Sequence, residues 1–380
     1  MHIADITAFY ARESGGVKRY LHAKRDWLAR HRAFRHTLVV PGPRHTVAPP
    51  GTLYLPSIPL PNSAGYRLPA GRWKAREVLL AAKPDVIEAG DPYFYASAAV
   101  DAALDLGIPA LAFCHSDIHT LVRRWLGALP AQAVARYLRW MYARFDRVLA
   151  ASNVVLEHLI EIGVSNAARQ PLGVDTAVFH PNRRDEELRS RLGIAPNSRL
   201  LVFAGRFAAE KNLWVLEQAV RTLGPPYVLL AIGSGPHPPR GTNVIILPFQ
   251  ADASALAALL ASADALVHAG DQETFGLIVL EAMACGIPVI GPDAGGVREL
   301  IDDAVGLRVR PKDPAALAAA IDSLFSADLT HLGGAARARV VRHYDWDVVM
   351  PNIIAHYRAA QHRRTAPRLD VPPVREWGKP

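Results

Sequence analysis

Short apolar runs alternate along the whole chain with stretches of helical spacing. In the first half, Ile3–Phe9, Thr37–Val40, Asp85–Glu88, Pro109–Cys114 and Arg147–Ala150 read as buried strands. Between them, Gly16–Arg30, Gly71–Ala82 and Ala96–Leu106 carry apolar residues at helical intervals. Strands alternating with helices imply a parallel sheet covered on both faces. The alternation stops over Gln170–Asn197, where Pro171, Pro181, Pro196 and several charges predict an inter-domain connection. Strands resume at Leu200–Ala204, Tyr227–Ile232, Asn243–Leu247, Ala265–His268 and Ile287–Gly291, again with helices between. The pattern predicts two successive βαβ domains and a loose, Pro- and Arg-rich tail from about His362.

Length agrees with this division, since 380 residues suit two domains. Half the residues are hydrophobic and 21% are charged, which excludes global disorder. The two cysteines, Cys114 and Cys285, lie far apart in apolar runs. They make no disulfide framework and are too few for a structural zinc site, so a reducing, cytoplasmic compartment is expected. The first residues lack a basic segment followed by a long apolar stretch, and no leader is predicted. Ala253–Gly270, the longest apolar stretch, is Ala-rich and broken by Asp264; it reads as a buried helix and strand.

Charge changes the picture more. Residues 1–170 hold 21 Lys and Arg against 13 Asp and Glu, whereas residues 171–380 hold 22 of each. The whole excess therefore lies in the first half and suggests an anionic partner there. Nucleic acid is suggested only by this charge, with no recognition motif, and is not expected. Leu121–Arg147 places Arg123, Arg124, Arg136, Arg139, Arg144 and Arg147 among Trp125, Tyr137, Trp140 and Tyr142. Such a segment either lies on an anionic membrane surface or is an Arg-coated helix whose aromatics face the core.

The densest chemistry is in Asp271–Ile290. A strand opens into a short acidic loop, a helix starts near Phe275, Gly286 ends it and a second strand follows. Glu273 lies just ahead of that helix, where free N–H groups and the positive dipole end gather. Glu281 comes eight residues later, inside the otherwise apolar run Phe275–Met283. A carboxylate can accept from two vicinal hydroxyls at once, as recognition of a sugar or ribose diol requires. Arg206 and Lys211 follow the strand Leu200–Ala204 and form a reasonable diphosphate cradle. Gly15 and Gly16 let a phosphate or sugar approach the backbone, and His115 ends a strand where open α/β sheets place ligands. Asp345-Trp346-Asp347 has the spacing of an acidic metal motif, but its place at a helix start favours N-capping.

Glu273 and Glu281, with Phe275-Gly276 and Glu281-Ala282-Met283-Ala284-Cys285-Gly286-Ile287-Pro288-Val289 around them, resemble the paired-glutamate signature of the family 4 retaining glycosyltransferases. Arg206 and Lys211 are similar to that family's diphosphate-binding pair, Gly15-Gly16-Val17 to its glycine loop, and His115 to the histidine facing the donor sugar. Tyr344-Asp345-Trp346-Asp347 looks like the start of its terminal helix. The resemblance covers nearly the whole chain. It implies the GT-B fold, an α/β architecture of two Rossmann-like domains with parallel sheets facing across a cleft. The acceptor domain would span residues 1–170, the nucleotide-sugar domain 171–345, a helix crossing back 346–362 and the tail 363–380.

The implied reaction moves a hexose from a nucleoside diphosphate sugar to a hydroxyl acceptor with retention, requiring no metal and no other cofactor. Catalysis would fall to His115, Arg206, Lys211 and Glu273. Donor binding would fall to Gly15, Gly16, Gly233, Thr274, Phe275, Gly276, Leu277 and Glu281, with Gly233 near the nucleotide rather than part of an NAD fingerprint. Gly15-Gly16-Val17-Lys18-Arg19-Tyr20 resembles the mannosyltransferase side of the family, which places GDP-mannose ahead of UDP-hexoses. The basic first half favours a glycan or lipid-linked acceptor of cell-envelope or polysaccharide synthesis, at the inner face of an anionic membrane. Two rivals are a GT-B-fold UDP-GlcNAc epimerase and a non-catalytic nucleotide-sugar-binding protein.

Overall fold

The computed structural model describes residues 1–11, 15–48, 51–61 and 65–365. The elements run β1 (His2–Ile6), α1 (Gly16–Arg30), β2 (Arg35–Gly42), β3 (Thr46–Ala48), β4 (Thr52–Pro59), β5 (Arg67–Pro69), α2 (Arg72–Ala82), β6 (Val86–Ala89), α3 (Phe94–Leu106), β7 (Ala110–Cys114), α4 (Ile118–Leu126), α5 (Ala128–Tyr142), β8 (Arg147–Ala150), α6 (Asn153–Glu161) and β9 (Ala167–Arg169). The chain continues through α7 (Leu188–Arg191), β10 (Arg199–Ala204), α8 (Leu213–Leu223), β11 (Tyr227–Ile232), β12 (Val244–Leu247), α9 (Ala253–Ala261), β13 (Ala265–Val267), α10 (Leu277–Ala284), β14 (Val289–Pro292) and β15 (Gly306–Val309). It ends in α11 (Pro314–Leu324), α12 (Leu329–His343) and α13 (Trp346–Thr365).

The apolar runs become interior strands because both their faces are covered. All five residues of β1 and of β7 are buried. The first sheet has the order β3-β4-β2-β1-β6-β7-β8-β9, with β5 on β4; only the β3–β4 and β4–β5 pairs are antiparallel. The second has the order β12-β11-β10-β13-β14-β15 and is parallel throughout. In both, strand order reverses beside the first strand, at β1/β6 and at β10/β13. Crevices at such switch points, outside the carboxyl ends of the strands, are where these sheets bind ligands.

Three apolar clusters fill the molecule. One lies between the β1–β7 face and α2–α3, and another beneath α8 and α11. The third runs from α1 through α10 to α13 and joins the two sheets. Within it, Val349, Met350, Ile353, Ile354 and Tyr357 of α13 are buried. At ~1.5–3 kcal/mol for each large apolar side chain, this seam opposes complete separation of the halves.

Several elements differ from the apolar pattern. β4 carries Pro56 and Pro59, and prolines are tolerated near a sheet edge, where fewer ladder bonds are needed. β9 and β15 are short and partly exposed, so they give little apolar signal. The first strand ends at Ile6, short of Phe9. Leu121–Arg147 divides at Gly127, whose φ of +89° separates α4 from α5. α5 turns Leu138, Met141 and Tyr142 inward, while α4 buries none of its residues and leaves Trp125 outside. The core-facing reading therefore holds for α5, and α4 is left exposed. The connection 170–197 packs Phe179, Leu188 and Ile194 into the core. α13 begins beside Asp345, whose Oδ1 accepts the Asp347 N–H at 2.8 Å, and continues through 363–365 of the expected tail. Residues 366–380 lie outside the described residues.

Candidate active site

Loops from the carboxyl ends of both sheets meet between the domains. Thr274 Oγ1, after β13, donates to the His115 carbonyl, after β7, at 3.1 Å. The starts of α1 and α10 are adjacent, since a Cβ on Gly16 would lie 3.2 Å from Leu277 Cδ1. One turn further along both helices, Arg19 Nη1 donates to Glu281 Oε1. Two helix N-termini thus open on one cleft, each with its positive dipole end toward it. Other cross-links close it: Arg124 to Asp271 at 3.3 Å, and Asn153 Nδ2 and the Val154 N–H to Glu299 at 3.0 Å each.

The two glutamates have opposite electrostatic character. Glu281 is 2% exposed among the buried residues Val279, Leu280, Ala282 and Met283. Its Oε1 takes the Arg19 guanidinium, and its buried Oε2 has no hydrogen-bond partner. Burial raises its carboxyl above the ordinary value, and Arg19 only partly opposes the rise. Glu273 accepts from Lys211 Nζ and, at 3.2 Å, from His268 Nε2, both on Oε1. The Gly270 N–H donates to His268 Nδ1 at 3.1 Å, so the neutral ring carries its proton on Nε2, toward Glu273. Burial alone would raise Glu273, but the Lys211 ammonium and the His268 ring hold it far below the carboxylate range. Glu273 is therefore ionised throughout the physiological range.

Local backbone turns set these side chains. Lys211 ends a 3-10 turn after β10, and Asn212, at φ +50°, turns the chain into α8. Asn212 Nδ2 then binds the Ala269 carbonyl at 3.0 Å and Asp271 Oδ1 at 2.9 Å, fastening the loop after β10 to the loop after β13. Phe275 is buried, 6.2 Å from the Tyr344 ring. Gly276, at φ +97°, makes the entry into α10, a conformation that costs other residues strain.

His115 is a neutral, orphaned ring. It stacks on Phe113 with centroids 4.5 Å apart, and its buried Nε2 has no partner. Burial, with the Lys24 ammonium nearby, pushes it down to about 3. It can exchange a hydrogen bond with a hydroxyl but does not supply a cation at neutral pH. Arg206 stands at the margin, its side chain 59% exposed and paired with Glu210 at 2.8 Å. Gly15 supplies the N-cap of α1, its carbonyl accepting the Arg19 N–H at 3.1 Å. Gly233 ends β11 so close to the next loop that a Cβ would lie 1.9 Å from the Gly205 carbonyl oxygen. A cleft with these groups can bind a polyol by its hydroxyls and an anion by helix ends and cations. Among the described residues, no group of three or more His, Cys, Asp or Glu is placed to hold a metal ion.

Comparison with known proteins fits this cleft. The Glycosyltransferase Family 4 model matches residues 14–178, and the Glycosyl transferases group 1 model matches residues 184–339. A GDP-mannose-dependent alpha-mannosyltransferase of Mycolicibacterium smegmatis is 33% identical over 317 residues, 82% of this chain and 83% of that one. The chain is a family 4 glycosyltransferase. Also similar is a GDP-mannose-dependent alpha-(1-6)-phosphatidylinositol dimannoside mannosyltransferase of Mycobacterium tuberculosis, 29% identical over 93% of this chain and 95% of that one. Anabaena HepE in complex with UDP-glucose, 20% identical, superposes with a TM-score of 0.75 over 94% of this chain and all of that one. The glycosyltransferase thus has the GT-B fold, two α/β domains with parallel sheets facing across a cleft, and it depends on a nucleotide sugar.

The structure brings His115, Lys211, Glu273, Thr274, Gly16, Leu277 and Glu281 of the glycosyltransferase to one cleft, with Arg206 and Gly233 at its second-domain side. Sequence reasoning passed over three residues there. His268 ends the strand run five residues before Glu273, the same position logic that found His115. Asp91 follows β6 and ties the crevice together, accepting the Ala8 N–H at 2.6 Å and the Tyr93 N–H at 3.0 Å. Burial pushes its carboxyl up to about 6. Arg19 stands in the Gly15–Tyr20 fragment but shows no role there, because its partner lies 262 positions away.

Proposed function

We propose that this glycosyltransferase transfers mannose from GDP-mannose, with retention, to a lipid-linked or anionic glycan acceptor. The observation carrying the donor site is Glu281, a buried carboxylate with one oxygen unpartnered one turn into a cleft-facing helix. That oxygen suits the ribose diol. Glu273 and the N–H groups of Thr274–Leu277 suit the sugar hydroxyls, and Glu273 Oε2 accepts from none of the described residues. Arg206 and Lys211 take the diphosphate charge as the bond from anomeric carbon to phosphate oxygen breaks. The acceptor oxygen bonds to that carbon on the same face, and its proton passes to the departing phosphate. His115 and the Gly15–Gly16 turn complete the site from the first domain. GDP-mannose leads because the mannosyltransferases above name it as their donor.

A thermal-shift and nucleotide-release screen of GDP-mannose, UDP-glucose, UDP-galactose and UDP-GlcNAc tests this reading. GDP-mannose at about 100 times its Kd should add roughly 2.7 kcal/mol of stability, and Glu281→Ala should lose that gain. No shift with any donor, or an unchanged response in the variant, would overturn the reading. Formation of product without acceptor would point to the epimerase.

The α4–α5 surface supports an acceptor held at an anionic membrane. Trp125 is 60% exposed, Leu129 80% and Trp140 54%, and Arg123 and Arg136 are exposed among them. Apolar side chains flanked by cations bind anionic lipid surfaces. No helix among the described residues is long and apolar enough to cross a membrane. Sedimentation with phosphatidylglycerol vesicles should be strong in low salt and fade as salt rises. Equal sedimentation with neutral vesicles would count against it.

A further inference from the structure

Glu281 presents an unusual problem for a diol receptor. A carboxylate is a good acceptor for two hydroxyls only while ionised, yet α10 buries this one among aliphatic side chains. The elements packed around it supply little charge. α9, over Ala253–Ala261, has no ionisable side chain, and just past the end of α10 the neighbouring ionisable group is the Cys285 thiol, which burial pushes up to about 12. Arg337 of α12 is directed to the Ala284 carbonyl and feels Cys285 rather than Glu281. Among the described residues, the one cation that reaches Glu281 is Arg19, which comes from the other domain.

We infer that Arg19 is a positioning residue for donor recognition, holding Glu281 ionised and oriented from across the cleft with Oε2 left for the ribose. The inference rests on the ribose reading of Glu281. Arg19 occupies only Oε1, and an ionised carboxylate has about four lone-pair sites, so the guanidinium and a diol can share it. The placement is strict, since α1 and α10 already touch at Gly16 and Leu277, and Arg19 and Glu281 follow one turn later. Because Arg19 belongs to the first domain, the nucleoside-binding group of the second domain is complete only when the cleft is closed. Nucleoside recognition and closure are thereby coupled through one ion pair.

The test is GDP-mannose and UDP-glucose affinity by calorimetry from about pH 8 to about pH 5.5, for wild type, Arg19→Gln, Arg19→Lys and Glu281→Gln. Dividing each variant's affinity by that of wild type at the same pH cancels other titrating groups. Without Arg19, burial acts on Glu281 unopposed and its carboxyl rises. The Arg19→Gln ratio should stay near one at the alkaline end and fall by up to about tenfold per pH unit toward the acid end. Arg19→Lys should restore most of the loss. A ratio independent of pH, or no rescue by lysine, would overturn the inference while leaving the ribose reading intact. Unchanged affinity in Glu281→Gln, or binding of neither donor by wild type, would remove the ribose reading and the inference with it.

Discussion

Lys211→Met is expected to lower kcat/KM for nucleotide release by about 10²–10³-fold, whereas Arg206→Met should cost about tenfold. The difference follows from burial. The Lys211 ammonium is 16% exposed and bonded to Glu273, so its charge acts at low dielectric, both on the carboxylate and on an approaching diphosphate. Arg206 is largely in water, where charge is screened. The variant should also acquire a new pH dependence. In wild type, Lys211 and His268 overcome the effect of burial and hold Glu273 far below the carboxylate range, so it does not titrate near neutrality. Without Lys211 the carboxyl rises, and activity should fall further between about pH 7 and about pH 5 as it protonates. Steady-state nucleotide release across that range decides the matter. A loss under about fivefold with the wild-type pH profile would show that Lys211 is not part of the reacting centre.

Lys24→Met should destabilise the protein by about 3–5 kcal/mol, with a Tm lower by about 10 °C. Asp5 and Glu88 are register partners on β1 and β6, so both carboxyls leave the sheet on the same face, that of α1. Lys24 lies between them, 2.6 Å from Asp5 and 3.1 Å from Glu88, with all three side chains at most 2% exposed. Tyr20 donates to Glu88 at 2.7 Å, Tyr357 of α13 also bonds to Glu88, and His36 lies 2.6 Å from Asp5. Removing the cation leaves two buried acids facing each other. Adding Asp5→Asn to Lys24→Met should recover part of the loss, a recovery that unrelated misfolding would not show.

The same cluster sets an acid limit on stability. Burial would raise Asp5, but Lys24 and His36 bring it down from 3.8 to about 2. A depressed carboxyl contributes stability above its unfolded value, so this contribution is lost as pH falls from about 4 to about 2. Glu88 behaves oppositely: burial raises it despite Lys24, so its contribution is present at low pH and declines as pH rises through its folded value. Melting temperatures across the acid range should fall steeply below about pH 4 in wild type, and more gently in Asp5→Asn.

How much of this could be read beforehand depended on the range of the interaction. The parallel strands were legible because continuous apolar runs have few other uses, and Glu281 was legible because an acid inside Phe275–Met283 breaks a local rule. β3, β4 and β5 escaped notice because strands at or next to a sheet edge are partly exposed and tolerate proline, which erases the apolar signature. The division of Leu121–Arg147 into an outward α4 and a half-buried α5 was likewise hidden, since aromatic residues serve a core and a lipid surface equally well.

By itself the sequence determined the alternation of strands and helices, the position of the paired glutamates around one helix start, and the places of His115 at a strand end and of Lys211 in the loop between a strand and the next helix. These follow from periodicities of two and 3.6 residues and from the polarity of single positions, which are local properties. Tertiary structure alone decided which cation meets which carboxylate. Lys211 reaches Glu273 across 62 positions, Arg19 reaches Glu281 across 262 and Tyr357 reaches Glu88 across 269. Whether an acid is ionised or protonated, and so what it can bind, depends on those partners and on desolvation, both set by how the two domains and the returning helix close on one another.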